Sequence, residues 1–185
     1  MHITLPTRLT LLRIAIIPVL MLCFYLPGQW ANEAALALFI LAGITDWLDG
    51  WLARRTGQQS RFGEFLDPVA DKLMVAMVLV LLVERHPQVV IALSAGVIIG
   101  REITVSALRE WMSSIGERGR VRVSWLGKVK TTTQMVAIGF LIYAQPLYGL
   151  PVLLIGKVLL LIAAMLTLWS MMLYLRAAWP SLQRQ

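Results

Sequence analysis

The stretch DWLDGWLARRTGQQSRFGEFLDPVADK, from Asp46 to Lys72, holds all four aspartates of a 185-residue chain. Asp46 and Asp49 are three residues apart, and Asp67 and Asp71 are four apart. Residues at those spacings share one face of a helix, so each pair marks a helix of its own. Apolar runs precede Asp46 and follow Lys72, which puts each pair near the end of a long hydrophobic helix. The connection between them, Arg54–Phe65, is about a dozen residues long, enough for the two helices to pack antiparallel and bring the pairs together.

Ionised carboxylates gathered in apolar surroundings repel one another and are costly to bury. A divalent cation removes that cost, and an all-oxygen ligand set suits Mg²⁺, Mn²⁺ or Ca²⁺ rather than a softer metal. The two histidines, His2 and His86, lie outside the stretch, which argues against zinc. Gly50, Ala53 and Gly63 are small where a bulky ligand or a second backbone approaches. Arg54, one turn after Gly50, is placed to meet a phosphate as a fork. Carboxylate-held Mg²⁺ commonly completes its shell with substrate phosphates. The residues therefore point to metal-dependent phosphoryl transfer at the cytoplasmic edge of a bilayer. Two other readings use the same carboxylates. One is a proton or ion pathway, such as a divalent-cation transporter; the other is interfacial salt bridging to Arg54, Arg55, Arg61 and Lys72. A transporter needs access from both sides, and the opposite side offers only Glu33 and Glu84 as acids.

The rest of the chain supplies the membrane. It is 58% hydrophobic and only 15% charged, with a mean hydropathy of +0.74; a soluble domain is about a quarter charged. Six spans are expected at roughly 9–27, 33–54, 66–84, 88–110, 129–147 and 151–176, each suited to about 30 Å of hydrocarbon. The expectation is an all-α polytopic membrane protein with about six transmembrane helices, forming a single membrane-embedded domain over 1–185. Of 17 Lys and Arg, 13 fall at the termini or by the two long loops, Arg54–Phe65 and Arg109–Lys130, Lys72 and Arg101 lie within helices toward the same side, and only Arg85 and Lys157 fall toward the other. By the positive-inside rule both termini and both long loops are cytoplasmic. The first apolar run lacks a small-x-small cleavage pattern and reads as a retained helix. Cys23, the single cysteine, has no internal disulfide partner. The net charge of +7 follows the loops, which fits attraction to an anionic leaflet and argues against nucleic-acid binding.

Read in order, Asp46-x2-Asp49-Gly50-x2-Ala53-Arg54-x8-Gly63-x3-Asp67-x3-Asp71 resembles the full signature of the CDP-alcohol phosphatidyltransferase family, with no departure at its eight positions. The resemblance implies that Asp46, Asp49, Asp67 and Asp71 hold one or two divalent ions, Mg²⁺ or Mn²⁺, which bind the diphosphate of a CDP-linked lipid. It implies that Asp49, Gly50, Ala53, Arg54 and Gly63 border the nucleotide, and that Asp71 is the general base for the acceptor hydroxyl. The opening LPTRLTLLRI is similar to the family's Pro-Asn-x-x-Thr-x-x-Arg element at Pro6, Thr10 and Arg13, but Thr7 replaces the common asparagine. Arg13 has a second reading, a side chain snorkelling to the interface.

Acceptor choice lies outside the signature. Arg101 and Arg109, eight apart in the fourth span, and Lys128 and Lys130, at the start of the fifth, lean toward the cytoplasmic side. Arg101 sits deep enough to need a partner, either Glu102, Glu110, an aspartate of the cluster or a phosphate on the acceptor. A basic pocket favours a phosphorylated acceptor, while the positive-inside rule alone also accounts for the two lysines. GREITVSALREW and LGKVKTTTQM resemble segments of the bacterial members that use glycerol 3-phosphate. That resemblance implies CDP-diacylglycerol and glycerol 3-phosphate as substrates, with phosphatidylglycerol phosphate and CMP as products, in the bacterial inner membrane. Other acceptors in the family are inositol phosphate, serine and phosphatidylglycerol. Gly96 and Gly100 form a GxxxG that suits either a homodimer face or close packing within the chain.

Overall fold

The computed structural model describes residues 5–56, 61–116 and 125–182. They form six helices, α1 (Leu5–Tyr25), α2 (Gln29–Thr56), α3 (Arg61–Arg85), α4 (Val89–Ser114), α5 (Trp125–Tyr143) and α6 (Val152–Leu182). Four of them, α1, α2, α4 and α6, carry stretches long and apolar enough to cross a membrane. The chain is an all-helical polytopic membrane protein. Helices α3 and α5 fall short of that measure over their described residues. In α3 the charges Glu64, Asp67, Asp71 and Lys72 occupy the first half, and the uninterrupted apolar run, Leu73–Val83, rises only about 16 Å. In α5, a helix of 19 residues, Lys128 and Lys130 stand in the first two turns.

The helices run further than the hydrophobic pattern predicts. Helix α2 continues to Thr56 and α3 already begins at Arg61, both inside the connection expected at Arg54–Phe65. The apolar run measures the bilayer, whereas the backbone keeps its hydrogen bonds for another turn in the interface. Pro18 lies inside α1 and Pro68 inside α3 without ending either helix. Between α1 and α2 the chain reverses at Gly28, whose φ of +104° lies in the region that glycine adopts without strain.

The chain forms two compact units, Met1–Arg85 with Ile142–Gln145, and His86–Leu141 with Pro146–Gln185. In the first, α1 packs against both α2 and α3. Ala31, Ala35, Phe39 and Ala42 recur every three or four residues along α2 and are buried, so a stripe of mostly small side chains faces inward. Met74, Val78, Leu79 and Leu82 do the same on α3. In the second unit α4 packs on α6, with Ile91, Ala95, Ile98, Val105 and Met112 as its buried face. Gly156 of α6 admits α5 closely: a Cβ there would stand 3.0 Å from Leu141 Cγ and 3.1 Å from Phe140 Cβ. Gly96 and Gly100 have no such neighbour within 4 Å among the described residues. Outward-turned Leu22, Leu93, Ile103 and Met165 give the helices the apolar exterior that lipid requires.

Candidate active site

In the first unit, α1 is the element on which the aspartates converge. Thr7, Thr10 and Arg13 recur at intervals of three and are all buried, Arg13 with no exposed side-chain surface. The Arg13 guanidinium lies among three of the four aspartates. Its Nη1 pairs with Asp46 Oδ1 at 2.9 Å and also donates to Asp71 Oδ1, while Nη2 donates to Asp49 Oδ2 at 2.5 Å. Thr10 Oγ1 donates to Asp67 Oδ1. Each aspartate of the signature thus meets a side chain of one face of α1, and helices α2 and α3 bring their pairs together as the spacing predicts.

These contacts settle the two readings of Arg13. A snorkelling side chain keeps its charge in water, whereas this one is wholly enclosed. Asp46, Asp49 and Asp71 pair with Arg13, a cation the salt-bridge reading did not name; Arg55 lies over the Trp51 ring, 5.0 Å from its centroid, and the side chains of Arg54 and Arg61 lie outside the described residues. One guanidinium pairs with three carboxylates, and the fourth meets only a hydroxyl among the described contacts, so carboxylates outnumber their paired cation. Asp49 is almost fully buried, while Asp46 and Asp71 each keep 45% of their side-chain surface exposed, so the cluster has a covered floor and an open side. Among the described residues no three acidic, histidine or cysteine side chains stand as a ready metal cage, since the guanidinium takes up oxygens of three of them. The chemistry of the donor set, hard oxygens with uncompensated negative charge, nevertheless fits a divalent cation.

Of the remaining signature residues, Gly50 follows Asp49 within α2, and Gly63 is buried in the first turn of α3. Ala53 and Arg54 belong to α2, but their side chains lie outside the described residues.

The second unit holds the basic residues. Arg101 donates through Nη1 to Glu102 Oε1, and Lys130 Nζ donates to that same oxygen at 3.2 Å. Arg101 and Lys130 are both buried, and among the described residues Arg101 Nε has no hydrogen-bond partner. Of the side-chain partners expected for Arg101, Glu102 is the one it pairs with among the described residues, and the same carboxylate joins Arg101 to Lys130 across α4 and α5. Arg109 is anchored elsewhere on α4: Nη2 donates to Tyr174 Oη at 3.0 Å, with the guanidinium 5.3 Å from that ring's centroid. The Lys128 side chain lies outside the described residues. Sequence reasoning missed the hub role of Arg13 and the bridging role of Glu102. Their signals were an arginine inside an apolar run, three residues after a buried threonine, and a carboxylate beside a deeply placed arginine.

An all-helical membrane bundle with acidic residues gathered at helix ends defines the class, and comparison with known proteins gives the family. The CDP-alcohol phosphatidyltransferase family model matches residues 3–169, across both units, and the chain belongs to that family. It is 51% identical over 178 residues, 96% of each chain, to proteins of Shigella flexneri serotype 5b (strain 8401) and Escherichia coli (strain K12). Both relatives are named CDP-diacylglycerol–glycerol-3-phosphate 3-phosphatidyltransferase.

Proposed function

We propose that this chain transfers the phosphatidyl group of CDP-diacylglycerol to sn-glycerol 3-phosphate, releasing CMP and forming phosphatidylglycerol phosphate. The observation that carries the chemistry is the convergence of all four aspartates on one face of α1 within an apolar bundle. The 51% identity over 178 residues to the named relatives carries the acceptor.

Asp46, Asp49, Asp67 and Asp71 are the residues that would hold one or two divalent ions, Mg²⁺ or Mn²⁺. Such an ion, when bound, neutralises the lipid diphosphate and stabilises the departing CMP. Asp71, partly exposed on the open side of the cluster, accepts the proton of the acceptor hydroxyl. The hydroxyl oxygen then bonds to the phosphorus that carries diacylglycerol, and the bond from that phosphorus to the CMP oxygen breaks. Gly50, Ala53, Arg54 and Gly63, with Asp49, border the nucleotide, the glycines leaving room for it.

Arg101 and Lys130 bind the acceptor phosphate, with Arg109 and Lys128 beside them. Two buried cations share one carboxylate, and the unpartnered Arg101 Nε is a spare donor. A phosphate dianion supplies both the missing charge and the missing acceptor. All six helices cross the bacterial inner membrane as one domain, with both termini and the active site on the cytoplasmic side, as the distribution of Lys and Arg dictates. Gly96 and Gly100, open on α4, suit a homodimer face.

The test is CMP release by protein purified in detergent, with CDP-diacylglycerol, Mg²⁺ or Mn²⁺, and one acceptor at a time. Turnover is expected with glycerol 3-phosphate and not with inositol phosphate, serine or phosphatidylglycerol. Turnover with serine alone overturns the acceptor assignment, and no CMP with any acceptor overturns the enzyme.

A further inference from the structure

Arg13 stands apart from the other cations in the first unit because its ion-pair partners are all candidate metal ligands: Asp46, Asp49 and Asp71. It reaches two different helices, α2 through Asp46 and Asp49 and α3 through Asp71. Among the described residues its Nε has no hydrogen-bond partner, and the head of the side chain is held by the carboxylates through its two Nη atoms.

A guanidinium and a divalent ion compete for such oxygens. Mg²⁺ binds oxygen at about 2.0–2.1 Å and tolerates little distortion of its shell. A positive guanidinium on the same carboxylates repels the incoming ion strongly where the walls are apolar. We infer that Arg13 is the built-in counter-cation of the metal site, a positioning residue that gathers Asp46, Asp49 and Asp71 and competes with a divalent ion for their oxygens. It keeps the carboxylates preorganised, since without it four negative charges repel across the bundle. It also lowers the apparent affinity for metal, because the ion binds only the fraction of molecules in which the guanidinium has withdrawn. This inference rests on the divalent-cation reading above.

The experiment measures Mn²⁺ binding to the purified protein without CDP-lipid, by calorimetry or by the spin resonance of free Mn²⁺. The wild type is compared with Arg13→Met, which keeps an apolar stem, and Arg13→Lys, which keeps the charge without the fork. Thermal melting of each is followed in EDTA and in saturating Mn²⁺. Arg13→Met is expected to bind Mn²⁺ about tenfold tighter or more, the gain that follows if the paired state outweighs the released one by about that factor. It is expected to melt below wild type in EDTA and to recover in Mn²⁺, with Arg13→Lys intermediate in both respects. A merely structural arginine predicts weaker metal binding on its loss, so unchanged or weaker binding by Arg13→Met overturns the inference. Should Arg13→Met fail to fold even with Mn²⁺, Arg13→Lys decides: affinity at or below wild type overturns it. A wild type that binds no Mn²⁺ sinks the metal reading itself, a result separate from any change in the variants.

Discussion

Glu102→Gln isolates a single charge in the second unit. Glutamine keeps the shape of the side chain, and its oxygen still accepts hydrogen bonds from Arg101 and Lys130. What it removes is the one negative charge that these two cations share. The side chains of Arg101 and Lys130 are 8% and 3% exposed, while Glu102 is 29% exposed. Breaking a fully buried pair costs about 3–5 kcal/mol, and an exposed pair is worth about 0–1 kcal/mol. With two partners enclosed and the third reaching solvent, the expected loss is about 2 kcal/mol, between those limits. For a chain of this length that lowers Tm by about 4–8 °C. The assay is thermal unfolding in detergent, read by tryptophan fluorescence; Trp111 lies on the same helix. Inorganic phosphate or glycerol 3-phosphate restores the lost charge, so either ligand is expected to raise the Tm of Glu102→Gln more than that of wild type, through its preference for the folded state. An unchanged Tm refutes the energetic argument, and equal stabilisation of both proteins by phosphate refutes the assignment of Arg101 and Lys130 as phosphate ligands.

Asp71→Asn keeps the shape of its side chain but cannot accept the acceptor's proton, so CMP release is expected to fall by about 10²–10⁴-fold; wild-type turnover would remove Asp71 from its role. Chelation with EDTA is expected to abolish CMP release, and Mg²⁺ or Mn²⁺ to restore it; turnover that persists in EDTA excludes a divalent-ion mechanism. Gly156→Leu drives a side chain into Leu141 and Phe140, whose atoms already stand 3.0 and 3.1 Å from a Cβ at that position, and is expected to cost about 1–3 kcal/mol by overpacking. Gly100→Ala meets nothing within 4 Å among the described residues and is expected to leave the Tm of a monomer unchanged or raised; a drop accompanied by loss of dimer on size-exclusion chromatography places Gly100 at an interface.

The sequence and the structure agree most closely where the signal is local. Asp46 with Asp49 and Asp67 with Asp71 are legible because helical spacing alone puts each pair on one face, and the apolar runs around them announce the membrane. Arg13 was ambiguous for the opposite reason. An arginine near the end of an apolar run reads equally as a snorkelling side chain or a buried partner, and only the packing of α1 against α2 and α3 decides between them. Glu102 was visible as one of several partners for Arg101, but its second bond, to Lys130 of α5, spans 28 residues and leaves no local trace. Hydrophobicity reports the bilayer rather than the hydrogen-bond ladder, so α2 and α3 run on past the expected spans into the charged connection.

Each unit, taken by itself, is electrostatically unbalanced, and the imbalances have opposite sign. In the first, among the described residues, one enclosed guanidinium pairs with three of four carboxylates, the fourth meeting Thr10. In the second, one carboxylate answers two buried cations. Hydrophobic replacement of such groups often stabilises a protein, and in apolar surroundings uncompensated charge carries a large penalty. A fold selected for stability alone would close both deficits within the chain. The proposed reaction closes them with what it brings: a divalent cation for the carboxylates and a phosphate dianion for Arg101 and Lys130. Arg13 and Glu102 then have matching parts, each an internal ion that partly occupies a site while its substrate or cofactor is absent. That symmetry yields opposite signs for the two variants. Removing Arg13 should tighten binding of a cation, and neutralising Glu102 should tighten binding of an anion. Two residues that served only to hold helices together would produce neither effect.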